Sequence, residues 1–172
     1  FGKPALAGEK SPPVHFNVSH SAGLVVAAFS LDGAIGVDVE DAERPISPAV
    51  QRQVFTPEER QSWESLPPDE QGRGVAARWT LKEAYLKARG AGLNLPFLGF
   101  AFDESSGEPR IRFSPPIDDD PARWRFYQTR VARHVVSLAL APASGGREPP
   151  EHAVELHDFN PHLSIQTRHD RS

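Results

Sequence analysis

Two carboxylates stand one residue apart in the segment Gly36-Val37-Asp38-Val39-Glu40. In an extended strand Asp38 and Glu40 point to the same side, while Val37 and Val39 turn to the other face and its core. Like charges placed this close repel unless protons or a cation intervene. A hard divalent ion such as Mg2+ suits such a pair, because it takes oxygen ligands and fills its octahedron with waters and substrate phosphates. Read alone, two solvated acids on an exposed strand face account for the pattern at least as well.

A second group of reactive types lies in Arg78-Trp79-Thr80-Leu81-Lys82-Glu83-Ala84-Tyr85-Leu86-Lys87. Glu83 and Lys87 are four apart and share one helix face; Arg78 and Lys82 stack on an adjacent face by the same spacing. On an isolated helix these would be ordinary surface ion pairs of little weight. A third group, Phe16-Asn17-Val18-Ser19-His20-Ser21, ends a predicted strand, where hydroxyl, imidazole and backbone donors can meet a phosphate. A Ser-His hydrolase does not fit, since Ser19 and His20 are adjacent and no Gly-x-Ser-x-Gly elbow is present.

The elements that must position these groups are legible in outline. Alternation over 14–18 and the apolar run Leu24 to Phe29 predict strands. Ala34 to Glu40 is predicted to pair with the latter through an Asp32-Gly33 turn. Ser47-Pro48 opens a short helix to about Val54, and Thr56-Pro57-Glu58-Glu59 is a capping box that starts a second. After Pro67-Pro68-Asp69 a long helix is predicted over 70–89, with Gly90 and Gly92 placed to end it. Strands follow at 97–102, 110–113, 124–131 and 135–141, with Trp124, Phe126 and Val131 as core residues. The pattern predicts an α+β lobe whose largely antiparallel sheet packs against the long helix.

Composition narrows the function classes. The 172 residues are 38% hydrophobic and 24% charged, a globular profile. A net charge of -4 argues against a nucleic-acid partner. No apolar stretch reaches the ~20 residues of a membrane helix, and the N-terminus shows no signal-peptide pattern. With no cysteine, disulfides and thiolate metal sites are excluded, which fits a cytoplasmic protein. Lysine occurs only at positions 3, 10, 82 and 87. Asp118-Asp119-Asp120 reads as an exposed loop before Pro121, and His152, His157, His162 and His169 as part of a solvated tail.

The ordered succession of Gly2-Lys3-Pro4, Phe16-Asn17-Val18-Ser19-His20-Ser21, Gly36-Val37-Asp38-Val39-Glu40, Phe55-Thr56-Pro57-Glu58-Glu59 and Trp79-Thr80-Leu81-Lys82-Glu83-Ala84, with Lys87 and Gly90-Ala91-Gly92-Leu93, resembles the Sfp-type 4'-phosphopantetheinyl transferases. The likeness covers roughly residues 1–141. It implies attack of a serine hydroxyl of an apo acyl or peptidyl carrier protein on the β-phosphate of coenzyme A, releasing 3',5'-ADP.

By that resemblance Asp38, Glu40 and Glu83 hold Mg2+, and Glu83 accepts the serine proton. Lys87 is a catalytic cation that also contacts coenzyme A, with Lys82 as a second cation. Ser19 and His20 meet coenzyme A phosphates and Lys3 its nucleotide end. Members of the family usually have two similar α+β halves. The resemblance therefore implies a lobe with the first half largely missing, 1–33 as its remnant and 34–142 as the second half; 143–172, rich in Gly, Pro, His and charge, lies outside it and reads as a mobile tail. Either the chain is then a fragment, or a neighbouring subunit of a homo-oligomer rebuilds the missing wall of the coenzyme A cleft. Two rival expectations are a non-catalytic fragment that docks coenzyme A or a carrier, and a Mg2+-dependent phosphohydrolase using Asp38 and Glu40.

Overall fold

The computed structural model describes residues 14–45, 47–90, 95–105, 107–142 and 154–157. Lys3, Gly92 and most of 143–172 therefore lie outside the described residues. The elements run β1 (His15–Ser21), β2 (Leu24–Ser30), β3 (Gly33–Asp41), α1 (Pro48–Val54), α2 (Pro57–Glu64), α3 (Pro68–Arg89), β4 (Phe100–Asp103), β5 (Arg110–Phe113), β6 (Arg125–Val131) and β7 (His134–Pro142). They form an antiparallel hairpin β1-β2, a three-stranded sheet in the order β3-β7-β6 and a small pair β4-β5, all antiparallel. The class is α+β, with α3 as its long helix. Among the described residues no helix is long and apolar enough to cross a membrane.

One pairing departs from the sequence expectation. Asp32-Gly33 does not close a hairpin between β2 and β3. β2 pairs with β1, its residues Leu24 and Val26 opposite Ser21 and Ser19, around the Ala22-Gly23 turn. Gly23 has φ 83, a left-handed conformation that glycine adopts without a Cβ penalty. β3 pairs instead with the distant β7, Asp38 opposite Ser137. Val37 and Val39, 2% and 1% exposed, pack with Val136 and the inner side of β2. A strand covered on both faces takes the partner that completes its burial, and that outweighs a local turn signal.

The first two helices start where a side chain caps them. Ser47 Oγ accepts from Val50 N at the head of α1. At α2 both capping-box bonds form: Glu59 N donates to Thr56 Oγ1 and Thr56 N to Glu59 Oε2. α3 starts two residues before the sequence reading, with proline at its first position. It stops at Gly90, φ 70, whose N–H returns to the last turn.

α3 lies across the sheet, and its closest approach is at Gly36. A Cβ built there would strike the backbone of Ala84 and Ala88, with Ala88 Cα only 2.9 Å away. Beyond this contact Tyr85, fully buried, packs on Phe100, Phe113 and Trp124. The Tyr85 hydroxyl donates to Asp119 Oδ2, which also accepts from Trp124 Nε1. Asp118 and Asp120 are exposed, as expected of the loop before Pro121; the expectation is corrected for Asp119, whose side chain is 7% exposed and anchors the aromatic cluster, because buried Tyr and Trp donors need an acceptor.

A buried ionic network fastens the opposite side of α3. Glu59 Oε2 accepts from Lys82 Nζ at 2.8 Å, and Glu59 Oε1 accepts from Phe102 N at 2.8 Å, with Arg78 Nε 3.4 Å away. Lys82 Nζ also donates to Phe97 O and Phe100 O. All three of its donors are thereby used, and desolvation lowers its pKa to about 8. Removing one member of such a network strands a buried charge, so Lys82→Ala should lower unfolding free energy by about 3–5 kcal/mol in urea titrations. A loss below about 1 kcal/mol, the range of an exposed pair, would show that the network contributes little.

Candidate active site

The carboxylates come from two elements held together at Gly36. β3 supplies Asp38 and Glu40, and the face of α3 turned toward β3 supplies Glu83 and Lys87. Lys87 follows Ala84 by three residues and adjoins Ala88, the two residues that meet Gly36, so the close packing there delivers its ammonium to Asp38. Lys87 Nζ lies 2.6 Å from Asp38 Oδ1, donates to Val37 O at 3.2 Å and to Ser19 Oγ at 3.0 Å. Ser19 Oγ in turn donates to Asp38 Oδ1 at 2.8 Å. One oxygen of Asp38 is thus held twice, while the other, Oδ2, is buried with no hydrogen-bond partner among the described residues.

Electrostatics tie the three acids into one group. Burial raises the pKa of Asp38 more than Lys87 and Ser19 lower it. Burial, then the Asp38 charge, raises that of Glu40. Glu83 is pushed up to about 6, first by burial and then by Asp38, with Glu40 adding a smaller push and Lys87 opposing. Three carboxylates that resist joint ionisation are a setting that a cation relieves.

A cleft of about 600 Å3 opens beside Glu40, lined by His20, Ser21, Gly23, Leu24 and Arg44 among others. His20 is exposed on the outer face of β1, whereas Ser19 is buried on the inner face, as strand alternation requires.

The structure therefore brings together Asp38, Glu40, Glu83, Lys87 and Ser19, with His20 at the cleft beside them. It does not bring Lys82 there. That expectation is corrected: Lys82 is 0% exposed and spends its donors on Glu59 and two carbonyls, so no phosphate can reach it. Glu59 was legible only as a capping residue; its inward role follows from a tertiary contact that spacing does not encode. Arg44 and Asn17 also belong to the surroundings of the site, and neither carried a separate signal.

Among the described residues no three acidic or imidazole groups converge tightly enough to cage a cation by themselves. Mg2+ does not require a full cage, because it retains waters and takes one or two carboxylates plus substrate phosphates. Asp38 Oδ2, without a partner among the described residues, and the half-buried Glu40 and Glu83, both perturbed by Asp38, are oxygen donors of that kind, and on this ground the residues fit Mg2+.

The chain is thus an α+β lobe in which three acids and a lysine meet between a strand and the long helix. A family model described as the 4'-phosphopantetheinyl transferase superfamily matches residues 34–139, and the chain belongs to that superfamily. It is 38% identical over 142 residues to the 4'-phosphopantetheinyl transferase ffp of Bacillus subtilis, covering 83% of this chain and 61% of that protein. It is 35% identical over 101 residues to Sfp of Bacillus subtilis strain 168, covering 59% and 43% respectively. The fold resembles a Bacillus anthracis holo-(acyl-carrier-protein) synthase solved with CoA (3',5'-ADP), at TM-score 0.52 and 23% identity, covering 66% of this chain and 98% of that one. The chain thus spans less than two thirds of the length of these curated relatives.

The raised pKa of Glu83 makes a prediction about stability without metal. The folded state binds this proton more tightly than the unfolded chain, whose ordinary value is 4.5, so the contribution is full below pH 4.5 and is lost as pH rises through about 6. Glu83→Gln, which mimics the protonated form, should therefore be more stable than the parent above pH 6 in EDTA. The gain should be on the order of 1 kcal/mol after solvent screening, fading toward pH 4. Urea unfolding at pH 4 and pH 8 checks this; a Gln variant no more stable than the parent at pH 8 would contradict it.

Proposed function

We propose that this chain transfers the 4'-phosphopantetheine arm of coenzyme A to a serine of an apo acyl or peptidyl carrier protein, releasing 3',5'-ADP. The observation that carries the reading is Asp38: one oxygen bound to Lys87 and Ser19, the other buried and without a partner among the described residues. Asp38, Glu40 and Glu83 would hold Mg2+, which when bound neutralises charge on the pyrophosphate and orients it.

The chain's own groups supply the rest. The Glu83 carboxylate, on the helix face beside Asp38, would take the serine proton. Lys87 gives its ammonium to phosphate oxygens, where charge builds as the oxygen–phosphorus bond to the leaving group breaks. His20, exposed at the cleft beside Glu40, would meet a phosphate there. Ser19 holds Asp38 and Lys87 and borders the same phosphates. Lys3 completes the proposal at the nucleotide end. The serine nucleophile belongs to the carrier, so the chain needs none of its own.

In this reading residues 34–142 form the half that carries the metal and catalytic motifs, residues 1–33 belong to an adjoining half, and a cytoplasmic homo-oligomer closes the cleft. Support for a covering partner comes from the outer face of β1-β2, where Val18, Val25 and Phe29 are 46%, 70% and 67% exposed. Grouped apolar exposure of this kind marks contact surfaces. The partial span relative to the curated relatives favours one second reading, a lobe that docks coenzyme A or a carrier without turnover.

Intact-protein mass spectrometry of an apo carrier, incubated with this chain, coenzyme A and Mg2+, separates the two. Transfer predicts a gain of one phosphopantetheine that disappears with Asp38→Ala or EDTA. No gain across several carriers, with the fold confirmed by circular dichroism, would overturn transfer by this chain alone.

A further inference from the structure

β1 and β3 lie side by side but share no backbone ladder. β3 is the edge of its sheet on this side, and Val37 turns both its N–H and its C=O outward across the seam. Neither group meets a strand neighbour there. Val37 N donates to the side-chain oxygen of Asn17 at 2.9 Å, and Val37 O accepts from Lys87 Nζ at 3.2 Å. Both residues are buried, Val37 to 2% exposure and Asn17 to 6%. A buried backbone donor needs an acceptor, and here a side chain stands in for the carbonyl that a neighbouring strand would supply.

We propose that Asn17 is a positioning residue for Lys87: its side-chain carbonyl links β1 to β3 at side-chain length, which keeps the seam open where the Lys87 ammonium is seated. The same strand face carries the argument one step further. Asn17 and Ser19, two apart on β1, point inward together; the first holds the backbone just ahead of Asp38 and the second holds the Asp38 carboxylate. The Lys87 ammonium then finds Ser19 Oγ, Val37 O and Asp38 Oδ1 converging at the seam. Without the Asn17 oxygen, the buried Val37 N–H is left unpaired and β1 is free to shift along β3, taking Ser19 from Lys87. Two other polar ties of the hairpin among the described residues, between Ser21 and the Glu40 carboxylate and from His134 Nε2 to Ala22 O, hold its turn end and leave the Val37 N–H to Asn17.

The relevance of this device to catalysis rests on the transferase reading, but the positioning itself does not. Lysine occurs only at 3, 10, 82 and 87, so competitive amine acetylation followed by peptide mass spectrometry reads each one separately. Lys82, on the same helix and 0% exposed, reports whether the fold is intact.

Asn17→Leu keeps the shape and removes the acceptor; Lys87 should acetylate about tenfold faster than in the parent, the loss of roughly one well-made hydrogen bond. Lys82 should stay protected. Asn17→Asp keeps an acceptor and should leave Lys87 near its parent rate. An unchanged Lys87 rate in Asn17→Leu, or an equal rise in Asn17→Asp, would overturn the proposal. If Lys82 loses protection in the Leu variant, Asn17→Ser, too short to reach Val37 N, is judged by the same two outcomes. Carrier modification is measured alongside. A parent that labels as described but never modifies a carrier sinks the transferase reading and leaves the positioning standing. A Leu variant that loses modification with unchanged Lys87 labelling sinks the positioning alone.

Discussion

The distance between α3 and β3 governs the rest of the molecule, and Gly36 sets it. Helices normally rest on sheets through layers of side chains. Here the helix backbone at Ala84 and Ala88 comes down onto a residue with no side chain. Small residues on both surfaces turn a packing contact into a backbone contact. The helix face that carries Glu83 and Lys87 is thereby brought to the strand that carries Asp38 and Glu40. With even one methyl group between them, the Lys87 ammonium would not sit 2.6 Å from Asp38.

The two lysines of α3 show how one helix separates structure from chemistry. Lys82 and Lys87 are little more than a turn apart, yet one is sealed and the other is partly open. Lys82 meets a carboxylate and two carbonyls and is fully desolvated. Its charge fastens α2 and the start of β4 to the helix. Lys87 keeps 27% of its side chain exposed and shares its carboxylate with a serine. Saturated and buried, the first network holds the frame; the second leaves Asp38 Oδ2 without a partner among the described residues, and a group in need of a partner is what a ligand can satisfy.

Much of this was legible from local chemistry. The capping box at Thr56, the proline start and glycine stop of α3, and the strand at 110–113 each depend on nearby residues, and each appears in the structure. The acid pair on β3 and the Glu83-Lys87 face were visible from periodicity, although periodicity alone could not tell a site from a solvated surface. What was lost depends on tertiary partners. Asp32-Gly33 looked like a hairpin turn, but β3 completed its burial against β7, nearly a hundred residues later. Lys82 looked like a free cation because nothing in spacing reveals that Glu59 waits beneath it. Asp119 looked exposed because its acceptor role is set by Tyr85 and Trp124 in the folded core. Gly36 was read as part of a motif, and only the packing shows why no larger residue fits.

The most direct measurement of this account is the unfolding free energy of Gly36→Ala by urea titration. Gly36 is not among the glycines with positive φ, so a methyl group carries no backbone strain. At an open position with such a backbone, the change would stabilise the chain by about 0.4–1 kcal/mol. The contact with Ala84 and Ala88 predicts the opposite sign, a loss of about 3 kcal/mol or more, since the obstruction is backbone and cannot rotate away. A variant as stable as the parent would contradict the claim that this contact sets the distance between helix and strand.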